Sequence, residues 1–332
     1  MDSTPLLVGN NGLSGPALLQ DHSRREQPVF LRASHSPWCF IPQNVLVFFR
    51  GLILAYLIAA SILVLNYDTT DAAPGETNAR LFFDFAIISG ALVLLYYIIT
   101  FSWTFTHLYY PDPEEIDGGV ESWLVNLMSL PRNLASLRKQ FYFTLFYITT
   151  VVFSFMNTVI YWFITRPHDL ENNDDGGTGD DDNGNGGNNG NGNGLLATLA
   201  SNTPFSDIFG EGWLKAFAVV NLFGITSIIL VFEILFLNSI RRPSTISAYI
   251  FALVVFAGLY LGWAYIGHAA TGIYPFFWLD PAEAGSQEAV TAYAIGFVLL
   301  APIMFIFMQG FVGVRETLVR PHVIIQEAPL GA

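Results

Sequence analysis

Cysteine is nearly absent from this chain. Cys39 stands alone among 332 residues, so no disulfide can form within it. Charge is scarce too: Lys, Arg, Asp and Glu make up 12% of the residues, about half of the roughly 25% usual in soluble domains. That shortage excludes an ordinary soluble domain. The net charge of −13 argues against nucleic acid as a partner. No cleavable signal peptide is visible, because the first 40 residues are polar and the first apolar run begins late and is too long. The first span is therefore expected to act as an uncleaved anchor.

What the chain has instead is apolar surface, with 52% hydrophobic and 15% aromatic residues. Six runs reach the length of about 20 residues needed to cross a hydrocarbon core: Val45–Asn66, Phe82–Trp103, Phe141–Thr165, Trp213–Ile240, Ser244–Gly267 and Ala289–Val314. Basic residues set their direction. Eleven of the 14 fall on one side of a six-span arrangement, and only Arg80, Arg166 and Lys215 fall on the other. The positive-inside rule then places both termini in the cytosol. The expected fold is an all-α polytopic bundle of six transmembrane helices.

Its parts are a disordered cytosolic tail (1–40), helices one to three (41–165), a disordered acidic loop (166–212), helices four to six (213–316) and a second cytosolic tail (317–332). The loop contains "ENNDDGGTGDDDNGNGGNNGNGNG", whose Asn, Asp and Gly cannot bury enough apolar surface to offset the entropy of ordering. Gly176–Asp181 resembles part of a calcium-binding nonapeptide repeat, but that repeat works only in stacked copies. An EF-hand register starting at Asp181 puts Gly192 where a bidentate Glu is required. No metal and no cofactor is expected. Near the amino terminus, Asp2, Leu6 and Leu7 have the spacing of an acidic dileucine sorting signal, which cytosolic sorting adaptors could read. An endomembrane location is favoured over the plasma membrane.

Within the spans, Glu233 lies eight residues before Arg241, about 12 Å inside the helix end. A carboxylate at that depth costs a few kcal/mol unless it is paired. Arg50 sits at comparable depth in the first span, and an Arg50–Glu233 ion pair is expected between helices one and four. Gly258 and Gly262 are four residues apart, a spacing that lets helix backbones approach closely, and packing inside the bundle is expected of them. Tyr274, Phe276, Phe277 and Trp278 read as an interfacial aromatic belt. His268 lies beside it at the non-cytosolic end. Asp84 is shallow enough to reach water.

"SPWCFIPQNVLVFFRGLILAY" at the first span, "FEI" at Phe232–Ile234 and "LYLGWAYIGHAATGIYPFFWLDP" at the fifth resemble the fungal branch of the androgen-induced membrane protein family, over most of Ser36–Arg320. The resemblance implies a multipass hydrolase of fatty-acid esters of hydroxy fatty acids, with a threonine nucleophile in the second span and a histidine in the fourth. Those positions fall here on Ile87 and Phe223. Ser89, the nearest hydroxyl, faces roughly 200° away from Ile87 on a helix. The fourth span contains no histidine. The first expectation is therefore a non-catalytic relative that binds a membrane lipid or a partner. The second is a hydrolase whose chemistry has moved to a new pair, Ser89 and His268. The third is a proton-coupled transporter using Glu233, against which no internal repeat or pair of broken helices is seen.

Overall fold

The computed structural model describes residues 28–38, 40–70, 78–110, 119–130, 136–175, 212–243 and 245–319. All regular structure among them is helical. A short helix, α1 (Val29–Ser34), precedes the first long one, α2 (Gln43–Thr70). Next come α3 (Phe85–Tyr109), the short α4 (Val120–Met128) and α5 (Leu137–Ile160), which continues through a π turn (Tyr161–Thr165) into Arg166–Asp175. α6 is Trp213–Leu237, α7 is Ile246–Thr271 and α8 is Gln287–Val319. Six of these, α2, α3, α5, α6, α7 and α8, are long and apolar enough to cross a membrane.

The bundle is built around α5. Of its most apolar stretch 83% is buried, against 22–39% in the other five. A helix enclosed by protein on every side has no face on which a charge could reach headgroups or water. That is the physical reason for the uncharged run from Gln140 to Thr165. The outer helices each bury one stripe. On α7 the stripe is Tyr249, Leu253, Ala257, Tyr260, Ala264 and Gly267. On α8 it is Phe297, Ala301, Phe305, Met308, Val312 and Arg315. These steps of three and four are the spacing of one helical face. The opposite faces, with Phe251, Leu259, Ile303 and Ile306, are exposed, as a lipid-facing surface requires.

Asp84 caps α3, accepting from the backbone N–H of Ala86 at 2.7 Å and of Ile87 at 3.3 Å. Immediately before it, the Phe82 and Phe83 carbonyls accept from Trp263 Nε1 (3.0 Å) and the Tyr260 hydroxyl (3.1 Å). These bonds tie the start of α3 to the end of α7. We call the opposite end of the bundle, where α2 begins and α6 and α8 finish, the basic end.

Three sequence expectations require correction. Residues 28–38 are not a disordered tail: α1 is packed into the bundle, with Phe30 2% and Ala33 0% exposed. The acidic loop does not begin at 166, because helix continues to Asp175, with Arg166 over the Trp162 ring and His168 stacked on Phe277. Gly258 and Gly262 do not pack inside the bundle. A Cβ added at either meets nothing within 4 Å, since both lie off the buried stripe of α7. The close approach occurs instead at Gly267, where a Cβ would come within 2.5–2.8 Å of Phe83.

Gly267→Ala should therefore destabilise the protein by about 1–3 kcal/mol through overpacking. Gly258→Ala should be neutral, or stabilising by up to about 1 kcal/mol through helix propensity. Thermal unfolding of both variants in detergent measures the contrast, and equal effects would refute the packing described.

Candidate functional site

α6 ends inside the bundle, and its last turn is a π turn, Glu233–Leu237. A helix end leaves several carbonyls without intrahelical partners, and in a bilayer each unsatisfied one costs several kcal/mol. Here every carbonyl from Glu233 to Asn238 accepts a hydrogen bond. Glu233 O takes the Asn238 backbone N–H at 3.0 Å. Ile234 O and Asn238 O take Arg315 Nη1 at 3.0 and 2.9 Å, and Ile240 O takes Arg315 Nη2. Leu235 O takes Trp38 Nε1 at 2.8 Å, Phe236 O takes the Ser36 hydroxyl at 2.7 Å, and Leu237 O takes Arg50 Nη2 at 3.0 Å.

Arg50 and Glu233 meet within this cap. Arg50 Nη2 lies 2.7 Å from Glu233 Oε1, with both side chains at 0% exposure. The guanidinium also donates through Nη1 to Thr100 O at 3.4 Å and to the Thr104 hydroxyl. On the other side of the carboxylate, the Tyr96 hydroxyl donates to Oε1 at 3.1 Å and the Tyr97 hydroxyl to Oε2 at 3.4 Å. Both oxygens are engaged, from α2 on one side and α3 on the other. The Asn238 side chain extends the network, accepting from Arg315 Nη1 at 2.9 Å and donating to the Tyr147 hydroxyl of α5 at 3.2 Å. Four helices, α2, α3, α5 and α8, and the segment after α1 thus converge on the end of α6. Chemically the arrangement is a cap in which every one of these carbonyls is satisfied, while Arg50 Nε is buried without a partner among the described residues. It presents no unengaged nucleophile and no base aimed at one.

A second polar layer surrounds the other π turn of α6, Asn221–Ile225. Asn157 Nδ2 donates to Leu222 O at 3.0 Å and Trp162 Nε1 to Phe223 O at 2.8 Å. The Tyr56 hydroxyl reaches Asn221 Oδ1 at 2.5 Å. Ser227 joins Ser154 (3.0 Å) and Thr158 (2.7 Å). The Phe223 ring stacks on Tyr161, with centroids 3.9 Å apart and planes at 8°. Gly90 of α3 faces this turn, since a Cβ there would lie 3.8 Å from Leu222. The stretch of α3 around Ile87 and the stretch of α6 around Phe223 are therefore neighbours, and both positions carry apolar side chains.

Ser89 and His268 are not joined. Ser89 is buried on α3 at 2% exposure. His268 stacks face to face on Tyr274 at 3.7 Å, and its Nδ1 is buried without a hydrogen-bond partner. Asp2, Leu6 and Leu7 lie outside the described residues. No group of three or more metal-ligating side chains occurs among the described residues. The site residues that sequence reasoning passed over are Ser36, Trp38, Tyr96, Tyr97, Asn238 and Arg315. Arg315 carried a signal, a basic residue one position past an apolar run, but that signal equally describes a residue outside the membrane. No family model, curated protein or solved structure matches this chain.

Breaking a buried pair by removing one partner typically costs about 3–5 kcal/mol. Glu233→Gln should fall in that range. Arg50→Leu should cost at least as much, because it also orphans the Leu237 carbonyl. The double variant should lose less than the sum of the singles, read from denaturation in detergent. Additive losses would mean that the two side chains act independently.

Proposed function

We propose that this protein is a non-catalytic, lipid-binding multipass membrane protein built on the bundle of the androgen-induced family. One observation carries the reading: the positions at which that family would hold its nucleophile and base are Ile87 and Phe223, and Phe223 is locked by its stack on Tyr161. Acyl transfer needs a hydroxyl with a base in hydrogen-bond reach. The polar groups nearest Phe223 are already committed to backbone carbonyls of α6. Ser89 and His268 offer no replacement pair, because the histidine is held by Tyr274. The engagement of both Glu233 oxygens by Arg50, Tyr96 and Tyr97 supports a structural role for that carboxylate over a transport one. With the orientation that the basic residues imply, the capped end of α6 faces the cytosol.

The test is incubation of the purified protein with a fatty-acid ester of a hydroxy fatty acid, beside a hydrolytically active relative in the same detergent. The expected result is no turnover above the blank, together with saturable binding of the intact ester read as a thermal shift. Turnover that disappears in Ser89→Ala or His268→Ala would overturn the reading.

A further inference from the structure

The connection from α6 to α7 carries Arg241 and Arg242, both exposed at the basic end. The Arg242 backbone N–H meets Glu316 Oε1 at 3.4 Å, close to the end of α8. From there the side chain runs back along α8, and its Nη2 donates to Gln309 O at 3.2 Å. The guanidinium rests on Gly313, where a Cβ would overlap Nη2 and lie 2.9 Å from Cζ. Only a bare backbone leaves room for it. Arginines at a membrane edge normally extend their heads toward water. Arg242 does the reverse. Gln309 is five residues before Val314, where the last apolar run ends, so the head is drawn about 7.5 Å toward the middle of the span.

Gln309 and Gly313 stand at the border between two faces of α8. On one side is the buried stripe with Phe305, Met308 and Val312. On the other, Ile303, Ile306 and Val314 are exposed, and Gly310 among them has open space where a Cβ would stand. At about 100° per residue, Ile306 and Gly310 fall about 60° and 100° round the helix from Gln309. The guanidinium therefore borders an apolar strip of the lipid-facing surface. The Gln309 carbonyl takes one of its five donors and cancels none of its charge.

The neighbourhood is electropositive as a whole. Burial and, after it, the Arg241 charge push the Arg32 guanidinium of α1 below its ordinary value, while Glu316 opposes them with a smaller pull. A choline headgroup would bring its own cation into that field, whereas a headgroup of net negative charge would not. Guanidinium groups pair with phosphate oxygens through parallel hydrogen bonds. At this depth the phosphate is best supplied by a lipid, because a free anion must leave water to reach it.

We infer that Arg242, with Arg241 next to it, binds the phosphate of an anionic glycerophospholipid in the leaflet at the basic end, with an acyl chain lying along Ile306 and Gly310. The site is on the outside of the bundle and does not depend on ester binding. A lipid held there would tie the α6–α7 connection to α8, the helix whose Arg315 closes the α6 cap. Its binding should raise the stability of the whole protein by mass action.

The experiment uses the full chain, delipidated in detergent. Added phosphatidylglycerol should raise the Tm by about 2–6 °C at large excess over Kd, and phosphatidylcholine with the same acyl chains should not. Arg242→Gln, at an exposed position, should leave the lipid-free Tm unchanged and abolish the shift. Gly313→Ala keeps every charge but displaces the guanidinium, and it should weaken the shift. Lys139→Gln, which removes another exposed cation at the same end, should leave the shift intact. A shift retained in Arg242→Gln or undiminished in Gly313→Ala, one lost equally in Lys139→Gln, or one matched by phosphatidylcholine or inorganic phosphate would each overturn the proposal.

Discussion

The end of α6 sets the terms for the rest of the bundle. A helix that stops within the low-dielectric interior must find partners for its last carbonyls, and water is not available there to provide them. Glu233 O keeps the π-type bond from the Asn238 N–H, and the five carbonyls that follow, from Ile234 to Asn238, are satisfied by donors from outside α6. The donors come from the segment after α1, from α2 and from α8. None of these can shift without exposing a carbonyl elsewhere in the cap. The packing of α1 under the bundle follows from the same demand. The stretch that brings Trp38 and Ser36 to α6 must be anchored, and buried Phe30 and Ala33 anchor it.

The two π turns of α6 extend the argument along the helix. A π turn widens the backbone and frees a carbonyl from the regular ladder, so each one must be answered from outside. The answers differ by depth. At the basic end they include two guanidinium groups, which carry several donors each and can serve several carbonyls at once, beside the Trp38 indole and the Ser36 hydroxyl. Around Asn221–Ile225 they are neutral, an amide from Asn157 and an indole from Trp162. Both come from α5, the enclosed helix. A charged donor there would have no headgroup region within reach, whereas Asn and Trp supply single hydrogen bonds without a charge to bury. This is why α5 is uncharged from Gln140 onward yet carries Thr, Ser and Asn there.

The legibility of this arrangement in the sequence was uneven, for physical reasons. The six spans are readable because hydrocarbon thickness imposes a length and a composition. Arg50 and Glu233 are readable as partners because a lone charge at that depth is costly and the two depths match. Arg315 is not, because a basic residue at the end of an apolar run normally marks the exit from the membrane, and only its burial against the end of α6 places it inside the bundle. Ser36 and Trp38 lie in a polar, turn-rich stretch, where composition gives no sign of long-range contacts. Tyr96 and Tyr97 look like any apolar helix residues until the carboxylate they serve is located. The glycine spacing on α7 shows the converse. A four-residue interval identifies a face without saying whether that face is turned inward, and the face of Gly258 and Gly262 is turned outward.

Charge accounting explains why an acidic residue belongs in the cap at all. The C-terminal end of a helix carries the equivalent of roughly half a negative charge, so one guanidinium is already more than it needs. The cap uses two: Arg315 serves Ile234, Asn238 and Ile240, and Arg50 serves Leu237. Two buried guanidinium groups against the dipole alone would leave about one and a half uncompensated positive charges. Glu233 reduces that excess to about half a unit, and the Tyr147 hydroxyl beside Asn238 places a further dipole next to Arg315. Its position follows from the same reasoning. A carboxylate at the start of the last turn sits one helical turn from Leu237 and can meet Arg50 without displacing it from that carbonyl. A residue one step earlier or later on α6 would rotate by about 100°, turning away from the groove between α2 and α3 where Arg50, Tyr96 and Tyr97 converge. Glu233 is therefore the counter-charge that a two-arginine cap requires, at the one register of α6 that faces both of its partners.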